Sequence, residues 1–356
     1  MDECGISGPT NQWFRSYLTN RTLRTVIAGT AGEEAPVSLG VPTGSVYGPV
    51  GYIMHVNSVS NVVQNCKVYM YADDMCLLYA GKNMADMVRN VQGDFENISK
   101  WAHDNGIILN LGKTKCMRIY SPHNKQAKNT CNSEIKILGH SYECFHNNKI
   151  ACKCNKLELV NSFKYLGLLI DQNFNWKLHV NEVCNRLRSI LGKFYYLNRI
   201  LNKHTLYVVY YALADSLMSY GLGCYGLTFK TYLDQIKQVQ LRLIKYLTDK
   251  KTKDKCKSDY YQLFNICKIL PVHNKVKYLL ALESYYSKDY KVPLSHSHFT
   301  RSRAKGKLSQ PSSINYYGER TREYLIPKIC NKYPILLSEN KLCLGTIKKH
   351  LKSLLI

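Results

Sequence analysis

The stretch Tyr71-Ala72-Asp73-Asp74 constrains this chain more than any other. Two carboxylates stand side by side between Cys66-Lys67-Val68-Tyr69-Met70 and Met75-Cys76-Leu77-Leu78-Tyr79-Ala80. Both flanks are apolar and rich in strand formers, so the spacing predicts strand, tight acidic turn, strand. A hairpin tip can project two carboxylates together into a groove. Their mutual repulsion calls for a cation, and the usual cation for an oxygen-only site is Mg²⁺. The plain alternative is an exposed Asp-Asp turn without a ligand, since Asp is a common turn residue. The surroundings decide between the two.

Charge is the next constraint. Residues 1–120 hold 10 Lys/Arg and 10 Asp/Glu, whereas residues 121–356 hold 39 Lys/Arg against 15 Asp/Glu. The whole net charge of +24 therefore lies in the later part. A basic excess confined to one part of the chain favours a polyanionic partner, most simply nucleic acid. With 45% hydrophobic and 21% charged residues the chain can bury a core and does not read as disordered. Met1 is followed by acidic and polar residues, which is not a signal-peptide pattern. The 14 cysteines are then expected as thiols in an intracellular protein of the nucleus or cytoplasm. The most apolar run, residues 206–227, carries Asp215 in its middle and reads as a buried helix rather than a membrane span.

In chain order, residues 8–28 read as a short helix and a strand, with a second hairpin strand at 37–41 after the Glu33-Glu34 turn. Gly and Pro crowd residues 40–49, ahead of an apolar helix over 50–59 with Ser45 as its N-cap. Such a loop lets backbone approach a phosphate, and a helix N-terminus favours anions. No Gly-Lys-Ser/Thr follows, so it is not a P-loop. Three- and four-residue spacing predicts an amphipathic helix over 84–105 closed by Gly106, then strands at 107–111 and 116–120. Residues 121–160 are polar with strand-like islands. Cys131, Cys144, Cys152, Cys154, His140 and His146 fall there, but their spacing fits no zinc pattern of paired ligands. Phe163 to Asp171 reads as an aromatic strand-turn-strand. Helices are expected from residue 176 onward, with a basic loop at 250–257, a helix over 259–288 broken at Pro271, a basic linker at 293–315 and a last helix at 340–355.

Taken in order, Gly40-Val41-Pro42-Thr43-Gly44-Ser45, Tyr71-Ala72-Asp73-Asp74, Trp101 with Asn110 and Lys113-Thr114, and Phe163-Lys164-Tyr165-Leu166-Gly167 resemble the palm of reverse transcriptases. The nearest resemblance is to the jockey-like enzymes of insect non-LTR retrotransposons. Residues 6–21 resemble the segment that follows the first palm motif there. Tyr220-Gly221, Gln240-Leu241-Arg242 and Leu270-Pro271 fit the helical part of the same proteins.

The resemblance implies an α+β fold: a partial polymerase palm, an antiparallel sheet with packed helices, followed by an all-α thumb and helical tail. The divisions are 1–120 for the palm, 121–175 for a β-rich extension with the primer grip, 176–290 for the thumb, and 291–356 for a basic linker and tail. It implies an RNA-directed DNA polymerase working by two-metal nucleotidyl transfer, an in-line displacement with metals roughly 3.5–4 Å apart. Asp73 and Asp74 would hold Mg²⁺ or Mn²⁺, and Lys113 would stand near the leaving phosphates, unless it is an ordinary turn lysine. Pro42, Thr43, Gly44, Ser45, Tyr71 and Ala72 would meet nucleotide and template. Phe163, Tyr165, Leu166 and Gly167 would form the primer grip, a role compatible with being a packed strand. Partners would be an RNA template, a DNA primer, deoxynucleoside triphosphates and the N-terminal part of the same element, with no membrane.

Two departures stand out. Thr43 replaces the usual Gln, which bears on nucleotide contacts. The first palm motif, with its further Asp, is not in this sequence, so the chain is expected to be inactive by itself. A rival reading from another class is a non-catalytic RNA- or DNA-binding remnant of a retrotransposon, motivated by the charge split.

Overall fold

A computed structural model describes residues 5–38, 40–42, 44–123, 135–140, 154–257, 259–286, 307–313, 318–333, 336 and 344–355. It mixes helices with small sheets and divides into two compact units, Met1–Asn161 and Ser162–Ile356.

In the first unit, α1 (Gly8–Leu18) is followed by β1 (Arg21–Leu23), β2 (Val26–Ile27), β3 (Thr30–Ala31) and β4 (Ala35–Val37). The expected pairing across the Glu33-Glu34 region is present, as β1 with β4, but the second strand is 35–37 rather than 37–41. A small inner hairpin, β2 with β3, turns at Ala28-Gly29, both at positive φ. Then come α2 (Tyr47–Val56), a 3₁₀ turn (Asn57–Val62), β5 (Lys67–Tyr71), β6 (Asp74–Leu78) and α3 (Met84–Asp104).

The amphipathic stripe of α3 is realised as read. Phe95, Ile98, Trp101 and Ala102 are buried. Asn83 caps the helix by accepting the Ala85 N–H at 3.0 Å. At the other end the Ile107 N–H reaches the Ala102 carbonyl at 2.7 Å and the Gly106 N–H reaches His103 at 3.0 Å, a Schellman closure. Gly106 sits at φ +69°, a conformation that favours glycine. The core of this unit gathers Val56, Val59, Ile98, Trp101 and Ala102, with Tyr52, Met75, Leu77, Ile107 and Leu109 against it.

The strands expected at 107–111 and 116–120 are not formed as such. The Asn110 carbonyl accepts the N–H groups of Lys113 and Thr114, which bends the chain into a turn. Only β7 (Lys115–Cys116) is a strand there, paired in parallel with β8 (Glu158–Leu159).

The second unit opens with the hairpin β9 (Ser162–Tyr165) and β10 (Leu168–Asp171). Helix α4 (Lys177–Ile200) buries Val180, Val183, Leu187 and Phe194, while Leu191 and Leu197 are half-buried. The apolar run 206–227 is not one helix. It divides into α5 (Lys203–Val209), a π-helical turn (Tyr210–Asp215), α6 (Ser216–Ser219) and α7 (Leu222–Tyr225). Gly221 at φ +67° makes the break before α7. Helix α8 (Lys230–Leu247) turns Leu233, Ile236, Val239, Gln240, Leu243 and Leu247 inward.

The basic stretch expected as a loop contains helix α9 (Lys250–Lys255), whose first turn is capped by Asp249 accepting the Thr252 N–H at 3.1 Å. Helices α10 (Gln262–Ile266) and α11 (Val272–Tyr286) flank Pro271 as expected, and α12 (Arg322–Lys332) and α13 (Leu344–Leu355) follow. Buried Gln240 is fully employed. Its Nε2 donates to the Tyr210 hydroxyl and the Leu270 carbonyl, both at 3.0 Å, while its Oε1 accepts the Val272 N–H at 3.0 Å. That one side chain fastens the Leu270-Pro271 corner to α8, consistent with the rule that buried polar groups find partners.

Candidate functional site

The acidic turn is the tip of a regular hairpin. Strands β5 and β6 pair antiparallel from Lys67↔Leu78 to Tyr71↔Asp74, leaving Ala72 and Asp73 as a two-residue loop. Ala72 has φ +52° and Asp73 lies outside the left-handed region, the φ pattern of a type II′ turn. A non-glycine residue in that conformation costs on the order of 1 kcal/mol. Strand alternation sends Met75 and Leu77 into the core and leaves Asp74, with its cross-strand neighbour Tyr71, on the other face. Asp73, Asp74 and Tyr71 are all exposed.

Helix α2 stands beside this tip. Tyr52 on α2 packs against the core that takes Met75 and Leu77. Its phenol is pushed up from its ordinary value by burial and, next, by the negative charge of Asp73. The glycine-rich loop opens the same helix. Gly40 and Gly44 take φ of +78° and +79°. The N-cap of α2 is Val46 rather than the expected Ser45, whose hydroxyl still accepts the Gly48 N–H at 3.0 Å from one residue earlier. The Pro42 carbonyl accepts the Ser45 N–H at 3.2 Å, and Arg21 donates to the Gly40 carbonyl at 2.6 Å. Thr43 lies outside the described residues. Lys113 is exposed on its turn, where its own N–H donates to Asn110.

Asp94 was not singled out by the sequence. It lies in α3 with no exposed surface. Its carboxylate accepts the N–H groups of Gln64 at 3.0 Å, Asn65 at 2.8 Å and Cys66 at 2.6 Å. Those residues lead directly into β5. Burial pushes the Asp94 carboxyl up, but the three backbone N–H bonds outweigh it and hold it below the usual carboxylate value. Burial and the bond to Asp94 push the neighbouring Cys66 thiol up to about 12, so it is inert. The signal available was Asp in the middle of a helix, on the apolar side between Val91 and Phe95. A buried carboxylate needs partners, and a loop start with free N–H groups supplies them.

The second unit holds the other hairpin. Tyr165↔Leu168 closes a two-residue turn in which Leu166 and Gly167 both have positive φ, the type I′ pattern. The Tyr220 hydroxyl donates to the Leu166 carbonyl at 2.7 Å. A Cβ on Gly221 would meet Leu168 Cδ2 at 2.4 Å. Phe163 is partly exposed, and Lys164 pairs with Glu182 of α4 at 2.8 Å. Asp171 is buried and accepts the N–H groups of Asn173, Asn175 and Trp176 at 3.0, 3.2 and 2.7 Å, wrapping the chain into α4. Phe163 to Gly167 is thus a packed hairpin whose outer residues stay accessible.

As donors, Asp73 and Asp74 form an oxygen-only pair, which suits a hard divalent cation that keeps water or phosphate as its other ligands. Among the described residues no group of three or more His, Cys, Asp or Glu stands together as a ready-made metal cage. Of the six zinc candidates, Cys131, Cys144, His146 and Cys152 lie outside the described residues, and His140 lies 3.4 Å from Glu96. No described helix is long and apolar enough to cross a membrane.

Residues 3–170 match the family described as reverse transcriptase (RNA-dependent DNA polymerase). The chain is 22% identical over 242 residues to the probable RNA-directed DNA polymerase from transposon X-element of Drosophila melanogaster, covering 66% of this chain and 24% of that protein. It is 20% identical over 244 residues to the RNA-directed DNA polymerase from mobile element jockey of the same species, covering 66% of this chain and 24% of that protein. The jockey protein of Drosophila funebris is 21% identical over 247 residues, 67% of this chain and 25% of its own length. The chain therefore spans about a quarter of the length of these relatives.

Proposed function

We propose, from the match of residues 3–170 to the reverse transcriptase family and the similarity to jockey and X-element polymerases, that the β5–β6 hairpin is the metal-holding element of an RNA-directed DNA polymerase. The observation that carries this is the tip itself: a strained two-residue turn that projects Asp73 and Asp74, set beside Tyr52 of the helix opened by the glycine loop. Asp73 holds Mg²⁺ or Mn²⁺ directly and Asp74 supports it. Bound there, the metal supplies positive charge for nucleotidyl transfer at the α-phosphorus.

The chain's own residues do the rest. Pro42, Thr43, Gly44 and Ser45 let backbone lie close to nucleotide and template, while the Ser45 hydroxyl keeps the helix start in place. Tyr71 and Ala72 meet the same nucleotide and template. Lys113 offers a cation to the leaving phosphates. Phe163, Tyr165, Leu166 and Gly167 grip the primer, and the helices from Lys177 onward act as a thumb on the duplex backbone, with the later helices as a tail. The substrates are an RNA template, a DNA primer and deoxynucleoside triphosphates, met in the nucleus or cytoplasm, and the rest of the same element is a partner.

Two measurements on the full chain test this. Mn²⁺ binding, read by electron paramagnetic resonance, is expected to weaken at least tenfold in Asp73→Asn and less in Asp74→Asn. Primer extension on poly(rA)·oligo(dT) with Mg²⁺ reads the reaction. Any product has to vanish in Asp73→Asn. Mn²⁺ affinity unaffected by Asp73→Asn would overturn the assignment of the turn. The charge split favours one second reading, a nucleic-acid-binding remnant. Metal-independent binding of nucleic acid by Asp73→Asn, with no metal bound by the native chain, would select it.

A further inference from the structure

The β9–β10 hairpin turns one of its backbone donors toward the helices. Tyr165↔Leu168 is the closing pair of the two-residue turn, so the next pair, Lys164↔Leu169, points its N–H and C=O groups away from the partner strand. The Leu169 N–H therefore needs an acceptor from outside the hairpin. It finds one on α4, the Nδ1 of His179 at 3.3 Å. Two more ties reach the same hairpin. The Tyr220 hydroxyl donates to the Leu166 carbonyl at 2.7 Å, and Lys164 pairs with Glu182 of α4 at 2.8 Å. Of these three ties, the one through His179 changes character with a proton near neutral pH.

His179 is 5% exposed. Its ring stands edge-to-face with Trp176 at 6.1 Å and with Tyr225 at 4.8 Å. A neutral imidazole carries one proton. With Nδ1 accepting, that proton is on Nε2, which is buried and has no hydrogen-bond partner among the described residues. A second proton, on Nδ1, would set donor against donor at Leu169 and bury a charge with no acceptor for either ring N–H. The surrounding groups do not offset this. Glu182 of α4 draws the imidazole toward protonation, but its carboxylate is already bonded to Lys164 of β9, and Lys164 and Arg186 oppose it. Burial pushes up Cys184 of α4 and Tyr225 of α7, so both stay neutral. Asp171 of β10 is engaged by the N–H groups of Asn173, Asn175 and Trp176. Burial, ahead of these charges, holds His179 below its ordinary value.

We propose that His179 is the positioning residue of the β9–β10 hairpin: with Nδ1 unprotonated it seats the Leu166-Gly167 turn on the helical core, and a proton there releases the turn. A released His179 takes up its proton at about pH 6.5, whereas a seated one resists it. Seating is therefore at full strength above about pH 6.5 and weakens as the pH falls from there toward the lower seated value. The functional consequence, a grip that loosens in acid, rests on the reading of Phe163 to Gly167 as a primer grip. The seat itself does not.

Hydrogen exchange of the Leu169 amide in the full chain, corrected for intrinsic rates, tests this between about pH 7.5 and about pH 5.5. In the native chain its protection is expected to fall about tenfold one pH unit below the released value, while the buried Ile236 of α8 keeps its own. His179→Asn, which places an acceptor where Nδ1 was, is expected to retain the protection and lose its pH dependence. His179→Leu, apolar and without an acceptor, is expected to lose about tenfold at both ends of the range. Nitrogen-15 spectra of labelled histidine are expected to show the His179 proton on Nε2 at neutral pH. Protection at Leu169 that survives His179→Leu overturns the proposal. So does native protection that ignores pH, or that falls in acid together with that of Ile236. A labelled primer–template is expected to be lost in acid from the native chain more than from His179→Asn. Equal retention by the two removes the grip role from the hairpin and leaves the seat standing, so the two readings fail separately.

Discussion

Asp94 shows how one side chain can hold a candidate site in register. Its carboxylate meets the three N–H groups that precede β5, and β5 ends at Tyr71. Asp94→Asn keeps the shape but loses the charge and half the acceptor capacity, leaving buried N–H groups short of a partner. The expected loss is about 2–3 kcal/mol in the first unit. The sign of the pH effect follows from the lowered carboxyl. Above the unfolded value, about 3.9, the native state holds the charge at no cost relative to the unfolded chain and the stabilisation is complete. As pH falls through the lower folded value the proton binds and the stabilisation is lost. Chemical denaturation between pH 7 and about 3 should therefore show the native chain and Asp94→Asn converging in acid. A constant gap across that range would show that the charge is not what matters.

At the scale of elements, the two hairpins carry the candidate chemistry, and each is set by its turn. The β9–β10 hairpin is held by the Tyr220-Gly221 corner, where a side chain on Gly221 would run into Leu168 and would also have to take φ +67°. Gly221→Ala should cost about 2–3 kcal/mol by combining backbone strain with a forced shift of Leu168. Tyr220→Phe, losing only the bond to the Leu166 carbonyl, should cost about 1 kcal/mol. Thermal melting of the two variants ranks them. Equal effects would mean that the corner tolerates a Cβ after all. The break at Gly221 is also why the run 206–227 failed as one helix. Apolar content showed that the segment is buried, but not that its backbone passes through a π turn and a left-handed residue.

For the whole molecule, the cores explain the division. The Ser162–Ile356 unit packs α4, α5, α8 and α11 around Leu187, Phe194, Leu206, Ile236, Leu243 and Leu280, with buried Gln240 at its centre. The core of the first unit is smaller. Residues 162–356 expressed alone should fold to a helical protein with a cooperative melting transition. A non-cooperative melt would show that this core depends on the first unit.

Patterning alone was enough for the parts of this chain governed by local rules. The acidic hairpin followed from strand formers flanking two Asp residues, the α3 helix from its periodicity, and its end from Gly106. The stripes of α4 and α8 followed from apolar spacing, and the order of short motifs was enough to suggest the family. Tertiary structure decided what depends on partners distant in sequence. It turned Asp94 from a helix residue into the anchor of β5, made Tyr52 a neighbour of Asp73, and gave Gln240 three bonds at the Leu270-Pro271 corner. The physical reason is the same in each case. Periodicity reports which face of an element avoids water, whereas a buried polar group or a crowded charge gains its meaning only from the groups that the fold brings to it.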